Sequence, residues 1–311
     1  MKVNIAIPCY NEQNTIKECI NNLENLGNEF QISIYNDGSS DETLPNIIDN
    51  QKIRVLSSKI NYGLADVFNS IIYDSIQENF DYIIIFDADN QYPSDEIKLL
   101  LKTTIDNKLD ICLGTRNFKN NKVFSKFKNL IQITGTKVIS QFLGLKLKDV
   151  TTGFRCYSSK AFEDLFVMNK FSYTIESLFI AKKNKLIVGN YNLQKFFSTR
   201  ESRLFKNNRE YIFKTTKILF SSILLYRKNI IFYTYLISLL PGILLCSRFL
   251  LNYINNNGYQ GNLQSLLLGT TLIVITSIFY SLIMSFSYAK TNLREILVSN
   301  LKPKHTLLKR N

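Results

Sequence analysis

The stretch FDADNQYPSDEI, residues 86–97, places two carboxylates and an amide directly behind an apolar run. Asp87, Asp89 and Gln91 alternate along the chain, and residues two apart in an extended segment point the same way. Carboxylates held close together repel each other unless a cation or a proton lies between them. Oxygen ligands of this kind suit Mg²⁺ or Mn²⁺, and magnesium commonly takes one or two carboxylates together with substrate phosphates. The pattern therefore predicts a divalent-metal site that a nucleotide diphosphate completes. A solvated, Asp-rich turn is the alternative.

A second acidic turn, YNDGSSDET, spans residues 35–43. Gly38 permits a tight turn, and the two serines and Asp41 that follow suit the start of a helix. Capping does not explain Asp37, which we expect to accept a hydrogen bond from a nucleobase or a ribose. The sequence contains no G-x-G-x-x-G after a strand and no G-x-x-x-x-G-K-[ST], which excludes dinucleotide-binding and P-loop sites.

The first 200 residues or so alternate between short apolar runs and segments of helical period. Such alternation predicts an α/β fold with a mostly parallel sheet and helices on both of its faces. Ligands of these folds bind beyond the carboxyl ends of the strands. The segments YND, FDAD and GTR all fall at predicted strand ends, so we expect them to meet on one rim.

Composition limits the chemistry and the partners. The chain has 311 residues and a formal charge of +13, which favours anionic partners such as phosphates or an acidic membrane surface. The basic residues cluster beside the apolar C-terminal segments rather than among exposed aromatics, so we do not expect nucleic-acid binding. Five widely spaced cysteines are typical of reduced thiols. A single histidine, His305, near the C-terminus argues against zinc sites built from histidines and against a Ser–His–Asp triad.

Two apolar stretches, about 230–251 and 263–288, indicate membrane spans. Between Asn229 and Ala289 the only charged residue is Arg248. Each stretch, as a helix, is long enough to cross the roughly 30 Å hydrocarbon core of a bilayer. Basic residues flank both outer ends, so the positive-inside rule predicts a hairpin with both ends in the cytoplasm. A buried helical hairpin in a soluble core is the alternative.

Six segments together resemble a known family: IPCYNE, NDGSSDET, NYGLADVFNSII, DADNQYPSDEI, GTR and DVTTGFRCYS. Their order and approximate spacing resemble the family 2 glycosyltransferases. The paired apolar stretches are similar to those of the polyprenyl-phosphate branch, the dolichol-phosphate-mannose-synthase-like enzymes. This resemblance implies a GT-A fold, a UDP- or GDP-linked sugar donor, Mg²⁺ or Mn²⁺, inversion at the anomeric carbon and a polyprenyl phosphate acceptor.

The resemblance also implies roles for individual residues. Those expected to bind the nucleotide sugar are Pro8, Tyr10, Asn11, Glu12, Asp37, Asn61 and Asp87. Those expected to act in catalysis are Asp89, Asp87, Gln91, Arg116, Arg155 and Glu176, the first three of them as metal ligands. Those expected to bind the acceptor phosphate are Arg200, Ser202 and Arg203. A later element of the family is matched by Asp149, Gly153, Phe154 and Arg155.

Each of these roles has a structural alternative. Arg116 and Arg155 also suit surface salt bridges, and Phe154 suits the core. Glu176 also suits an ion pair with Lys182 or Lys183 on the same predicted helix. The basic run 200–228 also suits an anchor on the membrane surface.

Departures from the family pattern occur at four places. Asn36 and Tyr92 stand where many relatives have Asp, and Leu64 stands where many have a basic residue. The segment TRESRL lacks an expected glycine. These differences bear on the identity of the sugar and the acceptor.

The domain organisation follows from these assignments. We expect a GT-A domain at 1–205, a basic amphipathic juxtamembrane segment at 206–228, two transmembrane helices within 229–289 and a basic cytoplasmic tail at 290–311. The protein is then a multi-pass membrane enzyme with a cytoplasmic catalytic domain.

The predicted function is sugar transfer to a polyprenyl phosphate, as in the making of cell-envelope glycans. A phosphate acceptor is already an anion and needs no strong base, whereas a hydroxyl acceptor needs one. Two alternatives stay open: transfer to a sugar hydroxyl of a lipid-linked glycan, and a non-catalytic, membrane-anchored nucleotide-sugar-binding protein. The oligomeric state is also open, with a homo-oligomer among the alternatives.

Overall fold

The structure is a computed structural model that describes residues 1–48, 53–116, 126–162, 165–197, 208–255, 262–299 and 305–307. Within these ranges the strands are β1 (Val3–Cys9), β2 (Phe30–Asn36), β3 (Arg54–Ser57), β4 (Tyr82–Ile85), β5 (Ile111–Thr115), β6 (Arg155–Ser158), β7 (Val188–Asn192) and β8 (Thr306–Leu307). The helices are α1 (Ile16–Glu24), α2 (Thr43–Ile48), α3 (Leu64–Gln77), α4 (Glu96–Asp106), α5 (Lys126–Leu143), α6 (Ser159–Phe162), α7 (Tyr173–Lys183), α8 (Asn208–Tyr226), α9 (Lys228–Asn255) and α10 (Leu263–Ser299).

The described strands form one mixed sheet in the order β7-β5-β6-β4-β1-β2-β3-β8. Strand β1 pairs in parallel with both β2 and β4, and β2 pairs in parallel with β3. This parallel centre, with a helix after each strand, confirms the predicted α/β fold class. The carboxyl ends of these four strands therefore meet on one rim.

An antiparallel strand interrupts the parallel order, which the sequence did not predict. Strand β6 lies between β4 and β5 and runs antiparallel to both. It has only four residues, RCYS, too few for a period to be recognised. Its placement brings the preceding loop, residues 149–154, beside the end of β4.

The core lies on both faces of the central strands. Ile5 and Ile7 of β1 and Ile84 of β4 are fully buried, and α1 packs onto the sheet through an apolar stripe that includes Ile16 and Leu23. Burying such side chains stabilises the fold by about 1.5–3 kcal/mol each before entropy is counted. The rim residues are thus held by a rigid support.

The chain divides into two compact units, residues 1–219 with 301–311, and residues 220–300. In the second unit α9 and α10 pack along each other, and their backbones approach closely at Gly242 and Gly269. Tyr235 stacks on Tyr280 with ring centroids 4.2 Å apart, and its hydroxyl lies 3.1 Å from Ser277 Oγ.

Two helices of the second unit are long and apolar enough to cross a membrane, at Lys228–Asn255 and Leu263–Ile296. Only 11% and 6% of their most apolar windows are buried, which argues against the buried-hairpin alternative. Both helices run beyond the predicted spans. The second continues to Ser299 through a basic segment, since Lys, Arg and Glu are good helix formers.

The tail differs most from expectation. The sequence predicted a basic cytoplasmic tail at 290–311, but α10 occupies its first part. Residues 306–307 form β8, which pairs antiparallel with β3 and belongs to the first unit.

Candidate active site

The loops that follow β1 and β2 are tied together by reciprocal hydrogen bonds. The Asn11 amide donates to Ser39 Oγ, and Asn11 Oδ1 accepts from the Ser40 amide, both at 2.9 Å. The Glu12 amide donates to Thr43 Oγ1 at 2.6 Å. The predicted nucleotide-binding segments at 8–12 and 37–43 therefore form one surface at the rim.

The predicted residues of the first segment differ in exposure. Pro8 lies in β1 opposite Tyr35, and Glu12 is buried. Tyr10 is 43% exposed at the end of β1, which leaves its ring open to a ligand. Asn61, in the loop before α3, is also exposed.

Asp37 is buried just below this surface and organises the loop that begins α3. Its two carboxylate oxygens accept from the amides of Tyr62 at 2.9 Å and Gly63 at 2.7 Å. His305 Nε2 lies 3.3 Å from Oδ1. Burial alone would raise the pKa of Asp37, but the imidazole and the two amides together lower it below its usual value.

Gly38 makes this arrangement sterically feasible. It has φ of 65°, and a Cβ there would lie 2.8 Å from the Asn61 backbone nitrogen. Both the left-handed backbone and the close approach require glycine.

The acidic turn follows β4, but its carboxylates are not on the strand itself. The strand ends at Ile85, and Asp87, Asp89 and Gln91 lie half-buried in the turn beyond it. Asp89 Oδ1 accepts from the Gln91 amide at 3.2 Å. Simple alternation along a strand therefore does not determine their directions.

The two carboxylates nevertheless share one region at the rim. A Cβ on Gly153 would lie 2.8 Å from Asp87 Oδ2, so the glycine leaves room for that carboxylate. Burial, together with the negative charges of Asp89 and Asp87, raises the pKa of the Cys19 thiol to about 12. Two carboxylates and an amide at a half-buried rim are a donor set that fits Mg²⁺ or Mn²⁺. In the described residues no group of three or more His, Cys, Asp or Glu is arranged to hold a metal ion, so the acidic turn supplies its two carboxylates without a third.

Aromatic side chains support the acidic turn from below. Tyr92 is buried and stacks on Phe154 with ring centroids 5.0 Å apart. Phe86 meets Phe154 edge-on at 5.8 Å. Phe154 is therefore a core residue, which was the alternative to a functional role. Tyr92, which departs from the family pattern, anchors the turn in this core.

Arg116 lies at the end of β5 and forms a buried ion pair. Its Nε and Nη2 donate to the two oxygens of Asp149 at 2.6 and 3.1 Å, and Nη2 also donates to Thr151 Oγ1 at 3.0 Å. Burial alone would raise the pKa of Asp149, but Arg116 and the bonds from Thr151 lower it. In this structure the Arg116 guanidinium holds the loop at 149–154, and its catalytic role stays a prediction.

Arg155 is fully buried, so it is not a surface salt-bridge residue. Its guanidinium donates to the carbonyls of Thr152 at 2.9 Å and Val150 at 2.8 Å, and to Ser177 Oγ at 3.0 Å. It therefore holds the loop that carries Gly153 against Asp87. A catalytic role for Arg155 stays a prediction.

Glu176, on α7, accepts from the amides of Met168 at 3.0 Å and Asn169 at 2.9 Å. The loop it fixes also approaches the part of the rim beside Asp37, because a Cβ on Gly63 would lie 3.0 Å from the Lys170 carbonyl and the Gly63 amide bonds Asp37. Glu176 thus binds a loop, and its catalytic role is likewise a prediction.

Sequence reasoning missed two buried polar residues near the rim. Glu96 accepts from the Gln194 and Lys195 amides and bonds the Tyr191 hydroxyl, which fixes the chain after β7. His305 contacts Asp37 from the C-terminal tail. Glu96 looks like an ordinary helix-start carboxylate in the sequence, and nothing local marks His305.

The predicted acceptor-phosphate residues, Arg200, Ser202 and Arg203, lie outside the described residues.

An α/β sheet whose rim carries a buried carboxylate and an acidic turn on aromatic support has the architecture of the GT-A class. The sequence profile described as "Glycosyl transferase family 2" matches residues 4–166, and the chain belongs to that family. It is a glycosyltransferase.

The relatives include enzymes named for polyprenyl-phosphate acceptors. A UDP-N-acetylglucosamine–dolichyl-phosphate N-acetylglucosaminyltransferase of Methanococcus voltae is 28% identical over 219 residues, which cover 62% of this chain and 85% of the relative. An undecaprenyl-phosphate 4-deoxy-4-formamido-L-arabinose transferase of Proteus mirabilis is 30% identical over 166 residues, 50% of this chain and 48% of the relative. The chain thus spans about half of the second enzyme.

Among solved structures, glucosyl-3-phosphoglycerate synthase of Mycobacterium tuberculosis with Mg²⁺ and UDP has the same fold. The TM-score is 0.55 at 15% identity, and the match covers 72% of this chain and 78% of that one. At this identity the likeness concerns the fold alone.

Proposed function

We propose that this enzyme transfers a sugar from a UDP- or GDP-linked donor to a polyprenyl phosphate at the cytoplasmic face of a membrane. The observation that carries the proposal is the pair of mostly exposed, apolar helices that follow the family 2 domain on the same chain. Such helices would hold the catalytic domain at the bilayer, where a lipid-linked acceptor is found. Relatives named for dolichyl and undecaprenyl phosphate support the same acceptor class.

The residues at the rim suit the donor. In this proposal Asp37 and the loops joined to it hold the nucleoside end, and Asp87, Asp89 and Gln91 would hold a divalent ion for the diphosphate. Such an ion, when bound, neutralises the charge that grows on the departing nucleotide diphosphate.

The transfer itself is an inverting displacement. The bond from the anomeric carbon to the donor phosphate oxygen breaks, and its electron pair leaves with the nucleotide diphosphate. An oxygen of the acceptor phosphate forms the new bond from the opposite face. With a second pKa of about 6, a phosphomonoester is largely dianionic at neutral pH, so no general base is required.

The orientation in the membrane has two supports. Basic residues flank both ends of the helical pair. In addition, β8 follows both helices in the chain and pairs with β3 of the catalytic sheet. An even number of crossings returns the chain to the side it left, so a hairpin satisfies this pairing.

The test is a transfer assay with full-length protein in detergent and Mn²⁺. A panel of labelled UDP- and GDP-sugars is offered with a polyprenyl phosphate, and then with the matching polyprenol. We expect label in the lipid extract only with the phosphate. Label transferred instead to a lipid-linked glycan would establish the hydroxyl-acceptor alternative, and donor binding without any transfer would establish the non-catalytic one.

A further inference from the structure

The C-terminal tail returns to the catalytic sheet beside the predicted nucleotide site. Strand β8 pairs with the outer edge of β3, Leu307 opposite Leu56 and Thr306 opposite Ser57. The residue before it, His305, is only 1% exposed. The tail therefore brings the chain's single histidine to the carboxyl end of β3, next to Asp37.

The two ring nitrogens of His305 differ in their hydrogen bonding. Its Nδ1 lies 3.0 Å from Ser70 Oγ on α3. Its Nε2 lies 3.3 Å from Asp37 Oδ1, yet among the described residues it has no partner in hydrogen-bonding geometry. A buried polar atom without a well-aligned partner costs about 1–3 kcal/mol, which offsets part of the attraction between the imidazole and Asp37.

The carboxylate of Asp37 has little capacity left while His305 is present. Its oxygens offer about four lone-pair positions. Tyr62 and Gly63 donate backbone amides, and Ser58 Oγ lies 3.4 Å from Oδ1. These three donors belong to the loop between β3 and α3, whereas the imidazole comes from the C-terminal tail.

We propose that the C-terminal strand is a displaceable cap on the donor site, and that His305 and the nucleobase compete for Asp37. The inference rests on the proposed function, which gives Asp37 a donor base to bind. A base that meets this carboxylate must present an N–H, such as the imide of uracil or the N1–H of guanine. An imidazole N–H is a donor of the same kind, and with the tail in place the Asp37 side chain is 4% exposed.

The short pairing makes displacement feasible. Strand β8 spans two residues, so little backbone hydrogen bonding holds it, and short terminal elements open at low cost. When only a fraction of the protein is uncapped, the apparent Kd for the nucleotide rises by the inverse of that fraction.

The first experiment measures nucleotide affinity in full-length protein with Mn²⁺, by calorimetry with UDP and with GDP. His305→Ala is expected to lower the Kd of the nucleotide that binds by about 3- to 10-fold, through a larger uncapped fraction. Ser70→Ala, which removes the Nδ1 partner without touching the tail, is expected to act in the same direction. Lys98→Ala, in an exposed ion pair on α4, is the control and should leave the Kd unchanged.

The second experiment needs no activity. Hydrogen exchange of the peptide containing residues 305–307 is followed as the same nucleotide is added. We expect protection of this peptide to fall as the nucleotide saturates the protein. Unchanged or increased protection, or an unchanged or weaker affinity in His305→Ala, would overturn the cap. Failure of the proposed function looks different: nucleotide then binds and displaces the tail, but no sugar reaches a polyprenyl phosphate.

Discussion

Asp89 and Asp95 lie in the same acidic stretch but in different surroundings. Asp89 is half-buried at the rim, whereas Asp95 is exposed at the start of α4 and caps no amide with its side chain. We predict that Asp89→Asn lowers kcat for sugar transfer by about 10²- to 10³-fold, the usual loss when charge stabilisation at a transition state is removed. Initial rates across a Mn²⁺ titration measure this, and Asp95→Asn is the matched control. Wild-type turnover in Asp89→Asn would contradict the metal assignment.

The buried ion pair of Arg116 and Asp149 should contribute to the free energy of unfolding. Asp149 is fully buried, so Arg116→Met leaves an uncompensated carboxylate in the core. Breaking a buried pair in this way costs about 3–5 kcal/mol. Chemical denaturation of the full-length protein in detergent measures the change. Lys98→Met removes an exposed pair and should cost no more than about 1 kcal/mol.

Because the pKa of Asp149 is lowered in the folded protein, the direction in which pH changes the stability from this ion pair can be predicted. A carboxyl with a lower pKa in the folded state adds stability above its unfolded pKa of about 3.9. That stability is lost as the pH falls through the folded pKa. We therefore expect the melting temperature to drop on acidification below about pH 4, and Asp149→Asn to show a smaller drop over the same range. If the melting temperatures of the wild type and Asp149→Asn fall equally with pH, other carboxyl groups cause the acid destabilisation.

At the scale of elements, the loop at 167–172 is fixed at two points. Asn69 of α3 bonds both the amide and the carbonyl of Val167, at 2.9 Å each. Glu176 of α7 receives the amides of Met168 and Asn169. The loop is therefore a rigid bridge between two helices, and one of them, α3, begins beside Asp37.

We predict that Glu176→Ala loosens this bridge. The amides of Met168 and Asn169 lose their acceptor, which costs about 1–3 kcal/mol and speeds their hydrogen exchange. Lys183→Ala on the same helix is the control, since Lys183 is exposed. If Lys183→Ala speeds the exchange of the Met168 and Asn169 amides as much as Glu176→Ala does, Glu176 acts through an ion pair with Lys183 instead.

At the scale of the whole molecule, connectivity predicts the topology. The catalytic sheet contains strands from both sides of the apolar helical pair in the chain, because β8 follows α10. We expect tags before Met1 and after Asn311 to be digested together by protease added to inside-out vesicles, and both to be protected in right-side-out ones. We also expect the protein to resist alkaline carbonate extraction. Tags on opposite sides would contradict both the hairpin and the pairing of β8.

Local patterns in the sequence were enough to predict much of this protein. The apolar runs and helical periods along residues 1–116 predict the parallel centre of the sheet, because each element buries one face whose period is visible within a few residues. The length and the near absence of charge predict the two long apolar helices. The motifs around Asp37 and Asp87 fall at strand ends, so sequence alone placed them on one rim.

Tertiary structure decided what those residues contact. Arg155 is buried because β6 inserts between β4 and β5, a pairing that no local period specifies. Ser70 and His305 meet although 235 residues separate them. Such contacts depend on how distant segments pack rather than on the pattern of either one. For this reason the sequence predicted the rim and its chemistry, whereas only the fold determined that His305 lies beside Asp37.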